Sequence, residues 1–77
     1  MSDYIQTIKQ IIANKAGVEL EEVIDEAYFG DDLNIGEMEL VDVLSEIEEA
    51  LKVELIELKD SIETVQDVVD IVSEQVE

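Results

Sequence analysis

Residues 65–76 read Val65-Gln-Asp-Val-Val-Asp-Ile-Val-Ser-Glu-Gln-Val76, and how this stretch folds decides the fold class. Valine favours strands by propensity, so residue type alone would place a β-strand here. Spacing says otherwise. Val65, Val68, Val69, Val72 and Val76 recur at helical intervals, whereas strict alternation from Val65 would bury Asp67. Thr64 with Asp67 three residues on makes a cap-like start, and an acid in the first turn suits the helix dipole. The segment is predicted as a helix over 65–76, and the chain as all-α.

Working back from it, Val53-Glu-Leu-Ile-Glu-Leu-Lys-Asp60 alternates in part, but a lone strand has no partner for its backbone. A short helix near 56–60 is expected instead. Residues 37–51 return to helical spacing, with Leu40, Val41, Val43, Leu44, Ile47 and Leu51 as the apolar stripe. Glu39, Asp42, Glu46 and Glu49 line another face, and Glu48 with Lys52 is expected to form a pair worth ~0.3–0.5 kcal/mol. Between Val18 and Gly36 the periodicity disappears. This long connection is read as a packed loop with one short helical turn, anchored by Val18, Leu20, Val23, Ile24, Tyr28, Phe29, Leu33 and Ile35. Tyr4, Ile5, Ile8, Ile11 and Ile12 mark a first helix over 3–16, with Ser2 as N-cap and Gly17 as the left-handed stop. The sum is one domain, 1–77: three main helices plus a short one in a small four-helix bundle with a long first loop.

Composition narrows the function. Four lysines and no arginine face twenty-two acids, a formal charge of −18, in a chain that is 47% apolar. Such a chain can build a core, but it lacks the cations that nucleic-acid backbones or anionic membranes demand. No apolar run is long enough to span a bilayer, and the N-terminus reads as neither leader nor signal segment. A cytoplasmic monomer is expected. The absence of cysteine removes disulfides, thiol nucleophiles and zinc-thiolate sites, and leaves no clue to redox compartment. Without histidine or arginine the serines have no activating base and phosphates no clamp, so an enzyme is not expected. Asp31, Gly36 and Asp42 fall at positions one, six and twelve of a calcium loop. Leu33 and Ile35 occupy two ligand positions of that loop, which removes the metal site and leaves only loose divalent-cation association.

A family resemblance emerges from several stretches taken in order. Phe29-Gly-Asp-Asp-Leu33, an acidic helix ending Glu46-Ile-Glu-Glu-Ala-Leu51, Val53-Glu-Leu55 and Ile62-Glu-Thr-Val-Gln-Asp67 together resemble an acyl carrier protein. With the first helix and Gly17-Val18, the likeness covers nearly the whole chain. It implies a four-helix bundle that shuttles acyl chains between synthetic enzymes as thioesters of 4'-phosphopantetheine. The family pattern has Asp-Ser-Leu at the start of the second helix, where the serine carries the prosthetic group; the matching residues here are Gly36-Glu37-Met38. A carboxylate cannot replace the hydroxyl in that phosphodiester, so no prosthetic group is expected at the usual site. Glu37 has a plain structural role as a first-turn acid, worth ~0.3–1 kcal/mol. The alternative reading of Glu37 is a charge that partly imitates a phosphate for partner enzymes, and the structural role is the expected one.

Asp60-Ser61-Ile62 resembles the attachment motif locally, which makes Ser61 the alternative attachment residue. Only sixteen residues follow it, too few for the two helices the family places after its modified one. The resemblance further implies an acidic docking face on the second helix, where Glu39, Asp42, Glu48 and Glu49 match family positions and Glu46 is added by periodicity. Its partners would be basic patches on a synthase, ligase or transferase, with Ile35 and Met38 as the apolar centre. The expected function is an acyl-carrier-like module acting as an acidic interaction partner. The alternatives are a working carrier in fatty-acid or polyketide-type synthesis loaded at Ser61, and an acidic decoy that mimics nucleic acid.

Overall fold

The computed structural model describes residues 3–77, and the N-cap expected at Ser2 lies outside that range. Three α-helices, α1 (Asp3–Ala16), α2 (Glu37–Leu51) and α3 (Val65–Val76), alternate with two 3-10 helices, Leu20–Glu22 and Ile56–Ser61. The fold is therefore all-α, as the spacing of apolar residues requires, and the two short helices fall where a helical turn and a short helix are expected. Each α-helix buries one stripe. Ile8, Ile12 and Ala13 of α1 meet Val43, Leu44 and Ile47 of α2 and Val65, Val68, Val69 and Val72 of α3 in a single core. The radius of gyration is 11.0 Å, close to the ~11.5 Å typical of a packed chain this long.

Helix ends follow from local chemistry. Gly17 takes a φ of +72°, and the Ala13 carbonyl accepts from both the Gly17 and Val18 N–H groups at 2.8 and 3.1 Å, a glycine stop. At the start of α3, Thr64 Oγ1 accepts from the Asp67 N–H while Asp67 Oδ2 accepts from the Thr64 N–H at 3.1 Å. The next two free amides are taken by the first loop, because Val65 N–H donates to Ala27 and Gln66 N–H to Asp25.

That exchange explains how nineteen residues without periodicity stay packed. A single antiparallel bridge pairs Tyr28 with Thr64, and Phe29 N–H donates to the Glu63 carbonyl at 3.0 Å. Residues 28–35 then fold into a compact turn, with Asp32 Oδ2 on the Tyr28 N–H, Ile35 N–H on the Phe29 carbonyl, and Asn34 left-handed at φ 56°. Val23, Phe29, Leu33 and Ile35 are buried beneath it, as expected of anchors. Ile24 and Tyr28 are not: both stay about half exposed, and Ala27 takes the buried place between them.

The expected Glu48–Lys52 pair does not form. Lys52 is the left-handed cap of α2 at φ 58°, which carries it off the helical face on which an i,i+4 pair would meet. The Glu48 carboxylate instead accepts from the Leu55 and Ile56 N–H groups at 2.6 and 2.9 Å, capping the second 3-10 helix. Gln75 of α3 completes the attachment, exchanging two hydrogen bonds with the backbone of Glu54.

Candidate functional site around Glu37

The α2 N-terminus, the 28–35 turn and the approach to α3 border an open cleft of about 410 Å³. Gly36 is the N-cap of α2 and has no side chain to offer, so Glu39 Oε1 accepts its N–H at 3.1 Å. Glu37 is the first helical residue, and its side chain is 79% exposed at the mouth of the cleft. It is not left alone. Lys59, carried by the second 3-10 helix, brings its ammonium to 3.3 Å from Glu37 Oε2 and 3.4 Å from Asp60 Oδ1. The hydrogen bond that Lys59 donates to Glu37, with the Asp60 charge beside it, holds the ammonium pKa above its ordinary 10.5.

Phe29, Ile35, Leu40 and Ile62 border the cleft on its core side, all but Leu40 of them buried, and the acids Asp31, Glu37 and Glu63 border it on the solvent side. None of its lining residues is a serine or threonine. Ser61 ends the 3-10 helix, exposed, and Thr64 rather than Ser61 caps α3. The two residues after Ser61, Ile62 and Glu63, nevertheless share the cleft wall with Gly36 and Glu37. Glu37 and Ser61, 24 positions apart in the chain, thus belong to one end of the molecule.

The acids of α2 are in unequal situations. Asp42 and Glu46 both face Lys15 of α1, at 4.0 and 3.8 Å. Glu39 is turned to the Gly36 amide and Glu48 to the second 3-10 helix. Glu49 is exposed and, among the described residues, has no side-chain hydrogen bond or ion pair. Ile35 cannot serve as the apolar centre of an interface, since it is 4% exposed in the core, whereas Met38 is 85% exposed beside Glu37. Nothing in the local sequence singles out Lys59, Asp31 or Glu63 as neighbours of Glu37. Their meeting depends on how the 3-10 helix folds back across α2.

No family model matches the chain. Curated proteins do. It is 34% identical over 76 residues to an acyl carrier protein of Thermosynechococcus vestitus, covering 97% of this chain and 94% of that protein. It is 38% identical over 73 residues to an acyl carrier protein of Rubrobacter xylanophilus, covering 94% and 90%. The likeness runs the full length of the bundle, through the long first loop and all three α-helices, and on this ground the chain belongs to the acyl carrier protein family.

Proposed function

We propose that this protein is a carrier-type interaction module, not an enzyme, which bears no 4'-phosphopantetheine at position 37 and is recognised by basic surfaces of carrier-dependent enzymes. The observation that carries this reading is the side chain at the head of α2. Loading would require an alcohol to form the phosphodiester, and position 37 offers a carboxylate already engaged by Lys59. The prosthetic group therefore does not fit the residues present there. Recognition by a basic partner rests on the exposed Met38 beside Glu37 at the head of α2, on the exposed Glu49 near its other end, and on Asp42 and Glu46, which remain more than half exposed despite Lys15. Charge at such a surface would speed encounter and choose the partner more than it would set affinity.

A second reading places a prosthetic group on Ser61, favoured by its exposure and by the position of Ile62 and Glu63 in the wall of the same cleft. One experiment separates the two. The protein is incubated with coenzyme A and a phosphopantetheinyl transferase, and its intact mass is recorded beside that of Glu37→Ser. The expected result is an unchanged native mass and one pantetheinyl addition on the variant. An adduct on native protein that maps to Ser61 would overturn the first reading, and an inert Glu37→Ser variant would show that more than the missing hydroxyl keeps the site unloaded.

A further inference from the structure

Position 37 carries a charge that a basic partner would seek, and the chain has already placed a cation on it. The Lys59 ammonium donates a hydrogen bond to Glu37 Oε2 at 3.3 Å and stands 3.4 Å from Asp60 Oδ1. Among the described residues no other cation reaches either carboxylate. Lys15, by contrast, stands off from Asp42 and Glu46 at 4.0 and 3.8 Å.

Lys59 is not a freely swinging surface lysine. It is carried by a segment fixed at both ends, since Leu55 and Ile62 are buried on either side of the second 3-10 helix and Glu48 holds the Leu55 and Ile56 amides. Its side chain is 34% exposed, whereas those of Glu37 and Asp60 are 79% and 96% exposed. The cation is thus the sheltered member of the group, and the carboxylates stay open to a second cation from outside. A lysine or arginine arriving at Glu37 meets a like charge within hydrogen-bond reach of its target.

We propose that Lys59 is a built-in competitor at the head of α2: it occupies Glu37 in the free protein, and a basic partner that engages Glu37 does so by displacing it. Such a role rests on the proposal above that basic surfaces recognise this chain, and adds a threshold that the chain itself sets. A partner offering one lysine gains little over Lys59. An arginine that takes both carboxylate oxygens gains more, because two parallel hydrogen bonds outcompete one.

The test is a double-mutant cycle on binding of the full chain to a phosphopantetheinyl transferase with a basic carrier-binding surface. Titration calorimetry without coenzyme A reads the Kd at about 0.15 M salt, where charges more than about 8 Å apart are largely screened. Lys59→Gln is expected to lower the Kd about two- to fivefold, the range exposed charge pairs give. Lys59→Arg, which keeps the competing charge, should bind no more tightly than the native chain. In a Glu37→Gln background the gain from Lys59→Gln should vanish, since the contested carboxylate is gone. Lys59→Gln should also lower the thermal midpoint while it tightens binding, whereas a purely structural role would weaken both. An equal gain with and without the Glu37 carboxylate would overturn the proposal, because net charge would then account for it. So would a Kd that Lys59→Gln leaves unchanged or raises, or a gain from Lys59→Arg as large as from Lys59→Gln. If neither the native chain nor any variant binds the transferase, the basic-partner reading itself falls, and the role of Lys59 with it.

Discussion

Glu48 and Glu49 are adjacent acids on α2 with unrelated situations. Glu48 spends its carboxylate on two backbone amides of a neighbouring segment, while Glu49 faces solvent. Hydrogen bonds to an ionised acceptor contribute more than neutral ones, and their loss strands two part-buried donors. Glu48→Ala should therefore destabilise by about 2 kcal/mol in urea unfolding, whereas Glu49→Ala should stay within about 0.5 kcal/mol. Equal effects would show that the contact with Leu55 and Ile56 does not hold the 3-10 helix. Lys59 is the other informative residue. Its ammonium pKa is raised in the folded protein, mainly by the hydrogen bond to Glu37, so its contribution is complete below the ordinary lysine value and fades as pH rises through the raised one. The difference in thermal midpoint between the native chain and Lys59→Gln should hold steady between about pH 7 and 9 and close at higher pH. A gap that grows with alkalinity would reverse that sign.

At the level of elements, the α3 start and the α1 stop carry most of the local specification. Thr64 and Asp67 satisfy each other's amides, and Ala27 and Asp25 satisfy the next two. Thr64→Ala should cost about 1 kcal/mol and Thr64→Ser much less, read from urea unfolding, because only the cap oxygen matters. Gly17 is a cleaner test of backbone conformation. A Cβ there would meet nothing within 4 Å, so Gly17→Ala should cost about 1 kcal/mol purely through its left-handed φ of +72°. A neutral result would mean that α1 can end without that conformation. Periodicity made α1, α2 and α3 legible residue by residue. The second 3-10 helix was legible as a short helix but not in its orientation, because Glu48 and Gln75 attach it from distant positions.

For the molecule as a whole, charge is the governing quantity. Three of the four lysines link different elements: Lys9 reaches Asp25 in the first loop at 3.0 Å, Lys15 joins α1 to α2, and Lys59 joins the 3-10 helix to α2. Such exposed pairs are individually weak, and they leave a net charge of −18 to repel itself across a body only 29 × 25 × 19 Å in extent. A domain of this size holds roughly 4–12 kcal/mol in total, and relieving ~1 kcal/mol of repulsion moves the thermal midpoint by about 4–8 °C. Raising sodium chloride from about 10 mM to 500 mM, which shortens the screening length severalfold, should lift the midpoint by at least that much. Millimolar divalent cation should do the same. A flat midpoint across the salt titration would remove self-repulsion as the limit on stability.

The amino-acid sequence by itself determined the three α-helices, the Gly17 stop of α1, the Thr64–Asp67 cap of α3, the acidity and the carboxylate at position 37. These depend on spacing along the chain and on chemistry within a turn, which are local. Tertiary structure alone decided the rest. It buried Ile35 and left Met38 out, turned Glu48 to the second 3-10 helix, and set Lys59 against Glu37 at a cleft that Asp31 and Glu63 also border. Those meetings join residues far apart in the chain, held by backbone hydrogen bonds from the first loop to α3 and by the second 3-10 helix, and no local pattern encodes which exposed acid will meet which distant partner.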